Sequence, residues 1–293
     1  GWVGSLTTIL HNNGYWLLVN EADTLELAGI FIQPDQVYSL HTGSNLISYS
    51  LSDCGSIDEV LPDEIEDCIY AIAGEGIATL NTANGWVGSL SALCPDEGYW
   101  FVNQCDDLEF TFDEPVSFAS NVGLNESPHP YYQSSKQAFY FIESVEDIGI
   151  GDWILAYNGD EVIGARQWQG NIIDVPVMGE DGTYLTEGYI EVGMTPQFNL
   201  LKNGELIELD GEIPAWSNNE FFKIISLSEY LDSENVLSGD INDDGILNIQ
   251  DIILIVNMVL SGEYSSLADM NGDGSVNILD VVQIAFIILN PEP

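Results

Sequence analysis

Mostly β, multi-domain, with a small α-helical domain at the C-terminus: three observations in the 293-residue sequence predict this fold class. The hexapeptide G-W-V-G-S-L occurs at residues 1–6 and again at 85–90, opening a duplicated β-rich segment. Between residues 113 and 232, short apolar runs recur between glycine- and asparagine-bearing turns, the pattern of an antiparallel β-sandwich. Near the C-terminus two acidic twelve-residue loops are each followed by an apolar stretch of helical length.

The duplication extends beyond the hexapeptide. Gly14-Tyr15-Trp16 recurs as Gly98-Tyr99-Trp100, and Val19-Asn20 with Leu25-Glu26 recurs as Val102-Asn103 with Leu108-Glu109. Ahead of the second copy, residues 45–51 alternate like a strand. Ser56 followed by Glu59 reads as a capping box, and 69–80 reads as two strands turning near Gly74 and Gly76. A complete module is therefore expected over 38–112, and residues 1–30 hold only its second half. There Trp2, Leu6, Tyr15, Trp16, Leu18, Leu25 and Leu27 would face no sheet of their own. Sequence upstream of Gly1, or strands from a neighbouring copy, is expected to complete the half-module. The second alternative implies self-association into a fibre, because an open strand edge recruits strands.

Four cysteines, Cys54, Cys68, Cys94 and Cys105, fall within the complete module. Four allow three pairings, alongside the alternative of four reduced thiols. The first copy carries Leu10 and Ala22 where the second carries Cys94 and Cys105. Joint loss favours Cys94–Cys105, leaving Cys54–Cys68.

In the third region, 113–232, strands are predicted at 137–142, 153–157, 161–165, 172–177, 188–192 and 197–201. Arg166, the sole arginine, is expected to pair with an acid such as Asp160 or Asp174. Trp153, Trp168, Tyr131, Tyr132 and Trp216 are candidates for a sugar-stacking platform. Trp2, Trp16, Trp86 and Trp100 recur with the repeat and read as core. Asn125, in the sequence Asn125-Glu126-Ser127, is a glycosylation acceptor. The stretch 151–160, Gly164-Ala165-Arg166-Gln167-Trp168 and 174–179 resemble an uncharacterised β-sandwich module of secreted bacterial multidomain proteins.

Acids outnumber bases by 48 to 4, a net charge of −44, which excludes nucleic acid and anionic membranes as partners. Lys136, Arg166, Lys202 and Lys223 are the only bases, and all lie in the third region. No apolar run reaches membrane-span length. His11, His41 and His129 are far apart in sequence, and neither a G-x-S-x-G nor a phosphate-binding glycine loop occurs, so no enzyme is expected.

The two C-terminal loops, 240–251 and 269–280, place oxygen side chains at positions 1, 3, 5, 9 and 12 and glycine at 6. Calcium takes six to eight hard oxygens, and such a loop wraps one ion, so two calcium ions are expected. The ligands would be Asp240, Asn242, Asp244, the Ile246 carbonyl, Asn248 and Asp251. Asp269, Asn271, Asp273, the Ser275 carbonyl, Asn277 and Asp280 repeat the set. No amphipathic helix precedes Asp240, and position 12 is Asp. This loop–helix–loop–helix order over 237–290 resembles a type I dockerin. The resemblance implies an extracellular or cell-surface location and docking onto cohesin modules. That family often reads its partner through polar or basic residues at loop positions 10 and 11; here these are Ile249, Gln250, Ile278 and Leu279. The leading expectation is a secreted, non-catalytic structural subunit of a fibre or surface assembly. The alternative is a glycan- or cohesin-binding attachment region of a larger protein.

Overall fold

The computed structural model describes residues 6–17, 24, 35–121, 127–230, 238–242 and 245–290. The chain forms two compact units, Gly1–Tyr230 and Leu231–Pro293. The first is built from β-sheets and the second from two helices and their loops, giving the mostly β fold with a small helical C-terminal part.

In the first unit a five-stranded sheet runs in the order β2-β8-β4-β5-β6. Its strands are β2 (Gly43–Ser48), β4 (Ile69–Ala73), β5 (Ala78–Thr82), β6 (Gly85–Gly88) and β8 (Gly98–Asn103). Two short pairs complete it: β1 (Tyr38–Leu40) with β9 (Leu108–Phe110), and β3 (Gly55–Ser56) with β7 (Ala92–Leu93). The β4–β5 hairpin turns through Gly74 and Gly76, as the sequence predicts; Gly76 has φ of +67°, a region in which Cβ is penalised. The core mixes residues of 38–77 (Tyr38, Leu40, Ile57, Ile69, Ile72) with residues of 90–112 (Leu90, Leu93, Tyr99, Phe101, Phe110, Phe112). Neither part buries its apolar face alone.

Three expectations are corrected here. Ser56 makes no side-chain cap: it lies at the end of β3, paired with Ala92, and the helix after it, α1 (Ile57–Val60), is a single turn. A second one-turn helix, α2 (Asp63–Glu66), follows. The disulfides are Cys54–Cys94 and Cys68–Cys105, not Cys94–Cys105 and Cys54–Cys68. Cys94 and Cys105 flank the six-residue strand β8, whose extended length of about 20 Å holds them apart. Each bridge instead joins the segment before residue 85 to the segment after it. Residues 188–192 form no strand and make only an isolated bridge between Ile190 and Gly179.

The remaining strands lie in two sheets. β12 (Glu161–Gln167), β11 (Trp153–Asn158), β14 (Gln197–Lys202), β15 (Glu205–Asp210) and β17 (Ser228–Glu229) form one. β13 (Ile173–Met178), β10 (Gln137–Ile142) and β16 (Phe221–Ile224) form the other. They share one core that includes Tyr140, Ile154, Ile163, Val175, Phe198 and Trp216. The expected all-antiparallel order fails at one edge, where β10 and β16 run parallel. β10 is buried at every position, which explains its unbroken apolar run. Ala138, Tyr140 and Ile142 face the shared core. Phe139 and Phe141 face Ala71, Ala73, Ala78 and Leu80 of the first sheet.

That second face welds the sheets of the first unit together, and a polar joint sits beside it. Asp174 in β13 is fully buried. It accepts from Ser89 N, Ser89 Oγ and Ala78 N, and pairs with Arg166 at 3.1 Å. Arg166 also donates to the carbonyls of Asp174 and Gly76. Of the two acids proposed for Arg166, Asp174 is the partner.

The first repeat copy is described over residues 6–17. Gly14 N donates to Leu46 O, Asn13 bridges Ile47, and Ser48 Oγ donates to His11 O, so this segment touches the free edge of β2. Trp2, Leu18, Leu25 and Leu27 lie outside the described residues. Trp16 is 40% exposed, against the core role expected of it.

In the second unit, α3 (Ile249–Ser261) and α4 (Ile278–Leu289) pack through Ile255, Ala268 and Ile284. Each begins with a full capping box, Asn248 with Asp251 and Asn277 with Asp280. The two N-terminal donors of each helix are thereby satisfied reciprocally. Gly262 ends α3 in the left-handed conformation, which Cβ disfavours. Among the described residues no helix is long and apolar enough to cross a membrane.

Candidate calcium centres in the C-terminal unit

Each loop is organised by its first and last acids. Asp251 is fully buried. Its Oδ1 accepts from Ile241 N at 3.0 Å and Asn242 N at 3.4 Å, and its Oδ2 accepts from Asn248 N at 2.9 Å. Asp280, also fully buried, repeats this with Asn271 N at 3.3 Å and Asn277 N at 2.8 Å. The first acids, Asp240 and Asp269, are buried as well; they accept from Gly245 N and Gly274 N, both at 2.8 Å. Gly245 and Gly274, at position 6, have φ of +73° and +82°. A Cβ at either would meet nothing within 4 Å, so the backbone conformation, and not space, requires glycine.

Further oxygens line the second loop. Asn271 Oδ1 accepts from Asp273 N, and Asp273 Oδ1 accepts from Ser275 N. Asn277 Nδ2 donates to Ser275 O, as Asn248 Nδ2 does to Ile246 O in the first. Tyr264 OH donates to Asp269 Oδ2 at 3.3 Å, a contact the sequence reading missed because it comes from outside the loop. The donor set is entirely hard oxygen, the chemistry of calcium. A carboxylate oxygen already accepting an N–H retains a lone pair for a cation. The residues fit the ion in kind. Asp244 lies outside the described residues, and among those described no three acids, histidines or cysteines converge as a preformed cluster. Calcium would neutralise the acids that the loop brings near each other.

The other candidates sort by burial. Trp168 and Trp216 are core residues, 7% and 1% exposed, and Trp216 Nε1 donates to Val177 O, so they do not form a sugar platform. Of that set Tyr132 alone is exposed, while Tyr131 and Trp153 are half-buried. Trp86 and Trp100 pack against core clusters as expected for the repeat. Asn125 lies outside the described residues. His11 contacts Gln36 and His41 contacts the Thr42 carbonyl. An open depression lined by Lys136, Glu180, Asp181, Ile190, Val192 and Trp216 marks the sandwich surface. Burial opposes the charge of Asp181. Donors from Thr186, Ser135 and Thr183 nonetheless hold its carboxyl well below the usual carboxylate range, which unsuits it to proton transfer near neutrality.

The exposed faces of α3 and α4 are uncharged and largely apolar, with Gln250, Asn257, Ser261 and Gln283 as their exposed polar residues. Ile249, Ile253 and Leu260 on the first helix and Ile278, Val282, Phe286 and Leu289 on the second are all more than half exposed. Asp251 and Asp280 are the only acids in either helix, and neither helix has a base.

Residues 238–289 match the family model described as Dockerin type I domain. No curated protein and no solved structure matches the chain. Type I dockerins are non-catalytic, calcium-binding, cohesin-binding modules of secreted or cell-surface proteins. The C-terminal unit of this chain carries a type I dockerin domain.

Proposed function

We propose that this chain is a non-catalytic attachment subunit of an extracellular assembly. Two calcium ions, one per loop, order the C-terminal helices, and their apolar faces dock on a cohesin-type partner. The first unit is the cargo that this docking displays. The observation carrying the reading is the dockerin match over two loop–helix repeats whose first and last acids are buried. Calorimetry should find two calcium sites, and a panel of cohesin modules should capture the chain only with calcium present. One site or none, or capture that survives chelation, would refute it.

A second reading, a fibre subunit, has its own support. The first repeat copy leaves Leu6, Ile9, Leu10 and Leu17 exposed. In this reading that apolar strip, on a chain of net charge −44, is where neighbouring chains meet. Light scattering on the full chain and on a Leu17→Asp variant tests it. Larger species that vanish in the variant support the reading, and monomers in both oppose it.

A further inference from the structure

Asp269, the first acid of the second loop, has both of its oxygens engaged. Oδ2 accepts from Gly274 N at 2.8 Å and from Tyr264 OH at 3.3 Å, and Oδ1 accepts from Asp273 N at 3.1 Å. A carboxylate oxygen offers about two lone-pair sites. The two donors on Oδ2 use its capacity, so Oδ1 is the oxygen that keeps a site for a cation.

Gly274 and Asp273 belong to the loop, and Tyr264 does not. It stands in the segment between α3 and the second loop, just after the left-handed Gly262. A turn fixes that segment ahead of Asp269. Ala268 N and Asp269 N both donate to Ser265 O at 3.1 Å, Leu267 N donates to Ser265 Oγ, and Leu267 O accepts from Gly239 N at 2.9 Å. Tyr264 is 59% exposed and is not among the residues that form the core around Ile255, Ala268 and Ile284. At the equivalent place before the first loop the sequence has Asn235, which lies outside the described residues and carries no phenol.

Resting on the reading that each loop takes one calcium ion, we propose that Tyr264 is a positioning residue of the second centre alone. By donating to Asp269 Oδ2 it fixes the carboxylate before the ion arrives and leaves Oδ1 as the ligand. Donors behind a metal ligand orient it, and their loss costs about ten- to a hundredfold in metal affinity. The Tyr264 contact is long and its side chain exposed, so the low end applies. The two centres therefore differ in what sets their affinity.

Calorimetry with calcium on the full chain tests this. Asp240→Ala isolates the second centre, and there Tyr264→Phe, which keeps the ring, should weaken binding about tenfold. Asp269→Ala isolates the first centre and removes the partner of Tyr264. There Tyr264→Phe should change the affinity by less than about twofold. Helical circular dichroism at saturating calcium reports whether each variant folds. If either parent variant stays unfolded, Tyr264→Phe is measured with both loops intact. One of the two dissociation constants should then rise about tenfold while the other stays. A loss of equal size at both centres gives the residue a general packing role and overturns the inference, as does no loss at either. Two bound ions would in those cases leave the attachment reading standing. An Asp240→Ala chain that forms its helices and binds no calcium removes both.

Discussion

Asp174 shows how one side chain joins two sheets. Burying a carboxylate is expensive unless its lone pairs and charge are matched. Here Arg166, Ser89 and Ala78 supply the match, from strands on both sides of the joint and from the turn after β6. Arg166→Met should destabilise the first unit by about 3–5 kcal/mol, because Asp174 is left buried without its cation. Asp174→Leu combined with Arg166→Met should recover much of that loss. Urea unfolding of the three proteins measures both. Equal losses in the single and double variants would show that the charge pair is not the source. In the dockerin loops Asp251 and Asp280 have the opposite task. Their carboxylates are held by backbone N–H groups of the loop, and in the proposed function they keep lone pairs for calcium.

Among the elements, β8 owes its place to covalent as well as hydrogen-bonded neighbours. It pairs with β2 and β4, and a disulfide leaves the chain on either side of it. The Cys68–Cys105 bridge closes a separation of 37 residues, which by chain entropy corresponds to about 4 kcal/mol. Replacing both cysteines with Ala should lower the denaturant midpoint of the first unit accordingly and leave calcium binding unchanged. The helices α3 and α4 carry the other element-scale prediction. Their exposed residues are neutral in a chain where acids are abundant, so docking through them has little charge to screen. Affinity for a captured cohesin module should change less than about threefold between low and molar salt. Phe286→Asp should weaken it at least about tenfold. A steep salt dependence would place recognition on the acidic loops instead.

For the whole molecule, two units of different construction should respond to different agents. The first is held by sheets, a joint core and two disulfides. The second is a small core of Ile255, Ala268 and Ile284 whose acidic loops ask for a cation. Chelation should therefore abolish the helical circular dichroism of the second unit while the thermal transition of the first keeps its midpoint. Reduction should act the other way round. A single transition that shifts under both treatments would contradict this independence.

The sequence by itself determined the local features. The β10, β11, β12 and β14 strands lie where alternation and turn residues put them. The loops at 240 and 269 have the glycine conformations their spacing demands, and the family match falls on the segment that resembled a dockerin. These signals are encoded within a dozen residues, so a linear reading finds them. Tertiary structure decided every choice of distant partner. Cys94 found Cys54, because β8 carries Cys105 away and the β3–β7 pair brings Cys54 near. β16 joined β10 in parallel, which no local pattern announces. Trp168 and Trp216 went to the core although their sequence reads equally well as a surface platform. In each case several partners satisfy the same local chemistry, and only the packing of sheets distant in sequence selects one.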